Sequence, residues 1–162
     1  MKSLGKIQAI FFDFDGVFTE NSVYISEDGI ETVKCSRFDG IGLQKLRDLK
    51  IHCAVVSSEQ NSVVQKRCEK LKIDCYSGIK DKFLVINKLI SQLEIKIENV
   101  AFLGNDINDL GILQEVGFPF IVADAHQDVF FPEFYTLSRK GGEGVVRELC
   151  DMVSDIKRKI ND

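Results

Sequence analysis

Four short runs along the chain are almost wholly apolar: Ile7–Phe12 (IQAIFF), His52–Val56 (HCAVV), Asn99–Leu103 (NVAFL) and Phe118–Val122 (FPFIV). Runs of this length and continuity suit strands covered on both faces. Between them the apolar residues fall at helical spacing instead. Ile41–Leu49 carries Ile41, Leu43, Leu46 and Leu49, and Asn61–Leu71 carries Val63, Val64, Cys68 and Leu71. Phe83–Leu93 and Gly144–Ile160 continue the same pattern, the latter through Val145, Val146, Leu149, Met152, Val153, Ile156 and Ile160. Strands alternating with helices predict an α/β fold, a doubly wound parallel sheet with right-handed crossovers. One stretch breaks the alternation. Val23–Lys34 reads as two short strands around Glu27-Asp28-Gly29, and Asp-Gly between β-type segments predicts a hairpin. No linker, repeat or low-complexity segment divides the chain, so residues 1–162 are expected to form one domain with a hairpin flap at about 22–34.

In doubly wound sheets ligands sit beyond the carboxyl ends of the strands. The residues that follow the apolar runs there are Asp13-Phe14-Asp15-Gly16, Ser57-Ser58-Glu59 and Gly104-Asn105-Asp106. All three ends are small, polar or acidic. Asp13 and Asp15 flank a single residue, and carboxylates that close repel unless a cation or shared proton compensates. Magnesium, a hard ion that prefers oxygen donors, suits them. Gly16 lets the backbone turn tightly and approach an anion. An Asp-x-Asp pair taken alone fits a solvated acidic loop equally well.

Composition narrows the field. The net charge of −4 gives no basic face for nucleic acid. No apolar run approaches the ~20 residues of a membrane span. Met1–Lys6 is short and polar and does not read as a signal peptide. The five cysteines, Cys35, Cys53, Cys68, Cys75 and Cys150, include no CxxC pair and read as reduced, partly buried thiols. A cytoplasmic location is the expectation that fits these features.

Asp13-Phe14-Asp15-Gly16-Val17-Phe18-Thr19 resembles the first motif of the haloacid dehalogenase superfamily, whose phosphatases read DxDGxxT. Ser57 then resembles the second-motif Ser/Thr, Lys82 the third-motif lysine, and Gly104-Asn105-Asp106-Ile107-Asn108-Asp109 the acidic fourth motif. The ordered set spans nearly the whole chain. The resemblance implies a Rossmann-like core and a phosphatase that works through an aspartyl-phosphate. Asp13 would be the nucleophile, and Asp15 would protonate the leaving oxygen and then activate water. Ser57 and the Ser58 amide would hold phosphoryl oxygens, with Gly16 beside them. Magnesium would be held by Asp13, Asp15, Asn105 and Asp106, with Asp109 orienting that set. Lys82 opens a helix, the unfavourable end of its dipole for a cation, so a site anion or Asp13 is its expected partner. Asn105 departs from the family pattern, where an acid is usual, and its neutral side chain should weaken metal affinity.

Between Thr19 and Ile41 there is room for the hairpin and no inserted cap domain. The chain resembles the capless group that includes the 3-deoxy-D-manno-octulosonate 8-phosphate phosphatases, through Phe38-Asp39-Gly40-Ile41-Gly42-Leu43 and Gly141-Gly142-Glu143-Gly144-Val145 as well. What this implies is a homotetramer in which the hairpin covers a neighbouring site, with Asp39, Gly40, Gly141 and Gly142 near substrate. Glu59 and Lys70 resemble the branch acting on nine-carbon acids, which makes a nonulosonate 9-phosphate of sialic-acid type the favoured substrate and the eight-carbon acid the alternative. A solvated helix face explains Lys70 equally well, and a loop leading into a helix explains the glycines. A reading of another class also stands: a weakly active or inactive oligomerising domain linked to an acylneuraminate cytidylyltransferase.

Overall fold

The apolar runs become strands of one sheet in the computed structural model, which describes residues 4–161. From the N-terminus the elements are β1 (Ala9–Phe12), β2 (Tyr24–Ile25), β3 (Glu31–Thr32), α1 (Phe38–Asp48), β4 (His52–Val56), α2 (Ser62–Leu71) and β5 (Asp74–Tyr76). They continue with α3 (Lys82–Gln92), β6 (Val100–Gly104), α4 (Leu110–Leu113), β7 (Phe118–Ile121), β8 (Tyr135–Thr136) and α5 (Val145–Asn161). Met1, Lys2 and Ser3, part of the polar lead-in, lie outside the described residues.

Six strands form a parallel sheet in the order β5-β4-β1-β6-β7-β8. All four residues of β1 are buried, and successive side chains leave by opposite faces. Ile10 and Phe12 join Leu43 and Leu46 of α1 and Val145, Leu149 and Val153 of α5. Ala9 and Phe11 join Ile86 and Ile90 of α3 on the other face. Burial of each large apolar side chain contributes about 1.5–3 kcal/mol, which makes this double-sided core the main support of the strand ends.

Register carries the fold into the site. Phe12 sits opposite Val55 on one side and Leu103 on the other. Asp13, one residue on, and Ser57 and Asn105, two residues on, therefore emerge together at one edge of the sheet. The hairpin forms where the Asp-Gly turn predicts it: β2 and β3 pair antiparallel, and Ser26 N–H donates to the Ile30 carbonyl at 3.1 Å. A Thr19–Cys35 bridge closes its base.

Three elements go beyond the pattern. β5 and β8 are edge strands of three and two residues, too short to show a period, and α4 is a single turn of four residues. Helix α1 begins at Phe38, three residues ahead of the periodic segment, and Ile41, expected in its apolar stripe, faces solvent instead. All five cysteines are free, and burial pushes the Cys53 thiol up to about 12. No helix among the described residues is long and apolar enough to cross a membrane.

Candidate active site

Asp13 leaves the end of β1 and is buried, with 4% of its surface exposed. Its Oδ1 accepts from the Phe14 N–H at 2.7 Å and pairs with Lys82 Nζ at 2.8 Å. Both contacts end on one oxygen, which leaves Oδ2 to the cavity that Asp13 lines. Lys82, the first residue of α3, is itself buried and reaches Asp109 Oδ1 at 2.7 Å as well. Burial alone would depress the Lys82 ammonium; the Asp13 and Asp109 carboxylates override it and hold it above its ordinary value. Asp109 in turn accepts from the Asn105 N–H through Oδ2 at 2.9 Å. The chain Asp13–Lys82–Asp109–Asn105 thus joins the ends of β1 and β6 to the start of α3 through charge-assisted contacts.

Both carboxylates are raised by their surroundings. Burial and the nearby Asp109 charge push Asp13 up to about 7, against the pull of Lys82. Asp15 is half-exposed; burial and the Glu59 charge raise it above its ordinary value.

Gly16 has φ +75°, a conformation that other residues adopt only with strain. A Cβ there would strike the Asn105 side-chain amide. The Thr19 hydroxyl accepts from the Gly16 N–H at 3.1 Å and holds the turn closed. A cavity of about 180 Å³ opens over this turn, lined by Asp13, Asp15, Asn21, Ser57, Ser58, Glu59, Asn105, Asp106 and Asn108. Asn105 Oδ1 is buried in it without a hydrogen-bond partner. A buried carbonyl oxygen left unpaired beside two carboxylates is a donor set that fits a hard divalent cation. Among the described residues no three His, Cys, Asp or Glu side chains cluster as a metal cage. The converging donors are two carboxylates and one neutral amide.

The remaining expected residues divide. Ser57, Ser58 and Glu59 lie where β4 ends, with the Ser57 hydroxyl accepting from the Glu59 N–H at 3.1 Å. Asp106 spends Oδ1 on the Ile107 N–H at 2.7 Å while lining the same cavity. Lys70, expected with Glu59 on the substrate side, does not join it at this cavity within the chain. At 1.5 Å per residue, Lys70 stands about 12 Å along α2 from its start. It lines a separate concavity with Arg37, Gly40, Arg67 and Leu71. Asp39 also stays away from the cavity: it is buried under α5, accepting from the Arg147 N–H at 3.3 Å. Gly141 and Gly142 act on backbone. A Cβ on either would strike main-chain atoms between Gly16 and Glu20, so the pair lets the C-terminal loop lie against the back of the Asp15–Gly16 turn. Asn21, Asn108 and Asp124, which accepts from the Gly141 N–H at 2.9 Å, were not anticipated. Thr19 carried the one available signal, as the last residue of the first motif.

Comparison with known proteins now decides the family. The haloacid dehalogenase-like hydrolase family matches residues 57–149. The chain is a member of that family. A 3-deoxy-D-manno-octulosonate 8-phosphate phosphatase of Salmonella typhi is 30% identical over 163 residues, covering 100% of this chain and 87% of the relative. The crystal structure of the Yersinia pestis enzyme of that name superposes with a TM-score of 0.92 at 29% identity, covering 99% of this chain and 87% of that one. A Moraxella catarrhalis enzyme of the same name, solved with a magnesium ion, a phosphate ion and a KDO molecule, gives 0.92 at 26% identity, covering 99% and 92%. The chain is therefore a hydrolase with the capless, Rossmann-like core of this group.

Proposed function

We propose that the protein is a magnesium-dependent phosphatase that acts on a 2-keto-3-deoxy sugar acid phosphate through an aspartyl-phosphate at Asp13. The observation that carries the reading is the Asp13–Lys82–Asp109 chain beneath a cavity faced by Asp15, Ser57 and the orphaned Asn105 oxygen. Asp13 Oδ2 attacks phosphorus, forming one P–O bond as the ester P–O bond breaks. Asp15 gives its proton to the departing oxygen, then takes one from the water that hydrolyses the acyl phosphate. Ser57 and the amides around it hold phosphoryl oxygens, and Lys82 offsets the charge that builds on them. Asp13, Asp15 and Asn105 would hold magnesium, which when bound neutralises negative charge on the phosphoryl group.

The eight-carbon octulosonate 8-phosphate is favoured by the names of the relatives. Glu59 beside Asp15 keeps the nine-carbon nonulosonate 9-phosphate in view, as a carboxylate able to accept from an extra hydroxyl. Phosphate release from both acids, with magnesium and with EDTA, tests the reading. Magnesium-dependent release from either supports it, with their ratio assigning chain length. Release from neither would favour a non-catalytic assembly domain. Assembly itself is part of the proposal. Tyr24, Ile25 and Ile30 of the hairpin are all more than half exposed, and a two-stranded hairpin is marginal alone, so packing against further copies in a homotetramer would cover them.

A further inference from the structure

Beside the catalytic cavity lies a second one of about 270 Å³, which shares Asp15, Asn21 and Glu59 with it. Its outer wall is the hairpin, through Val23, Glu31 and Val33, and its inner wall is the start of α2. Asp15, which lines both spaces, is the proposed proton donor to the leaving oxygen, so this space adjoins the leaving-group side of the site. The two walls are tied together. Glu31 Oε2 accepts from Asn61 Nδ2 at 2.9 Å, and the Oδ1 of the same amide caps α2 by accepting from the Val63 N–H at 3.0 Å. One side chain therefore fixes the helix start and the flap strand at once.

The geometry points to Glu31 and Asn61 as a clasp that sets the width of the leaving-group pocket and so selects an elongated, hydroxyl-bearing leaving group. This deepens the phosphatase reading and rests on it. The lining supports the substrate class. Asp15, Glu20, Glu31 and Glu59 supply carboxylates and Asn21 and Asn61 supply amides, while no Lys or Arg lines the space. Such a wall accepts hydrogen bonds from hydroxyls and repels an anion, so the part of the substrate held here is neutral polyol. The carboxylate of a sugar acid then lies beyond the pocket.

The clasp can be broken without uncapping the helix. Asn61→Asp still caps α2, since Asp and Asn are equivalent there, but it loses the donor and sets a second charge against Glu31. The readout is the ratio of catalytic efficiency on the sugar acid phosphate to that on p-nitrophenyl phosphate, which has no polyol to hold. Asn61→Asp should lower that ratio about fivefold, the worth of one partly exposed hydrogen bond, and should do so through KM. The double variant Glu31→Gln/Asn61→Asp reverses donor and acceptor, and should return the ratio close to the starting value. Equal losses on both substrates, or a ratio that the double variant does not restore, would overturn the clasp. If the unaltered protein hydrolyses neither ester, it is the phosphatase reading beneath the clasp that fails.

Discussion

Replacing Lys82 with Met tests the centre of the site, because Met keeps the length of the side chain and removes only its charge and donors. Lys82 lies 2.8 Å from Asp13 and 2.7 Å from Asp109, and the three side chains are 2%, 6% and 0% exposed. Breaking a buried pair by removing one partner costs about 3–5 kcal/mol, since the other charge stays desolvated. For a domain whose total stability is about 5–15 kcal/mol, that is about a fifth of it or more. The loss has a sign in pH. Burial and Asp109 already raise Asp13 to about 7, and Lys82 is what opposes them. Without the lysine the folded state holds the Asp13 proton to still higher pH, and protonation relieves the repulsion. The variant should therefore trail the unaltered protein by more at pH 8 than at pH 6. Urea unfolding followed by circular dichroism measures both. Adding Asp109→Asn should recover part of the deficit, because it removes the second unpaired charge. A loss below about 1 kcal/mol at pH 8, or one that ignores pH, would refute the buried-network reasoning.

Asn105→Asp should lower the magnesium concentration for half-maximal phosphate release by about tenfold, since it turns a neutral oxygen donor into an anionic one. An unchanged magnesium titration would remove Asn105 from the metal site. Asp39, buried and pushed up to about 6 from an ordinary value of 3.8, holds a proton in the folded chain that the unfolded chain releases. Its contribution to stability therefore declines as pH rises from about 4 to 6, by roughly 3 kcal/mol in all. Asp39→Asn keeps an acceptor for the Arg147 N–H and should gain on the unaltered protein over that window in unfolding experiments; parallel stability profiles would contradict this. Ile25→Asp, on the exposed hairpin, should dissociate the proposed tetramer in light scattering at assay concentration, and an unchanged mass would place the subunit contact elsewhere.

The fold was legible where burial on both faces leaves no freedom: Ala9–Phe12 and Ala54–Val56 are apolar throughout and fully buried in the sheet. It was illegible at the edges, where Asp74-Cys75-Tyr76 and Tyr135-Thr136 are half wet and too short to show a period. The site followed the same division. Asp13, Ser57, Lys82 and Asn105 sit at or next to element ends, so register alone brings them together. Lys70 misled because spacing along a helix places it at the far end of α2, on another concavity. Asn21, Asn61 and Asp124 act from loops, through contacts to partners distant in sequence or to local backbone, and a single sequence carries no mark of either. The glycines at 141 and 142 were visible as glycines, but only packing against the Gly16–Glu20 backbone gives the reason for them.

The central claim is that Asp13 carries the phosphoryl group. Acid quenching during turnover of the sugar acid phosphate, followed by borohydride reduction and mass mapping of peptides, reads this directly, because reduction converts an acyl phosphate to the alcohol at its own carbon. The account predicts that reduction marks Asp13 alone, and that Asp13→Asn shows neither the mark nor steady phosphate release. Sustained release by a clean Asp13→Asn preparation, or a mark on Asp15 in its place, would contradict it.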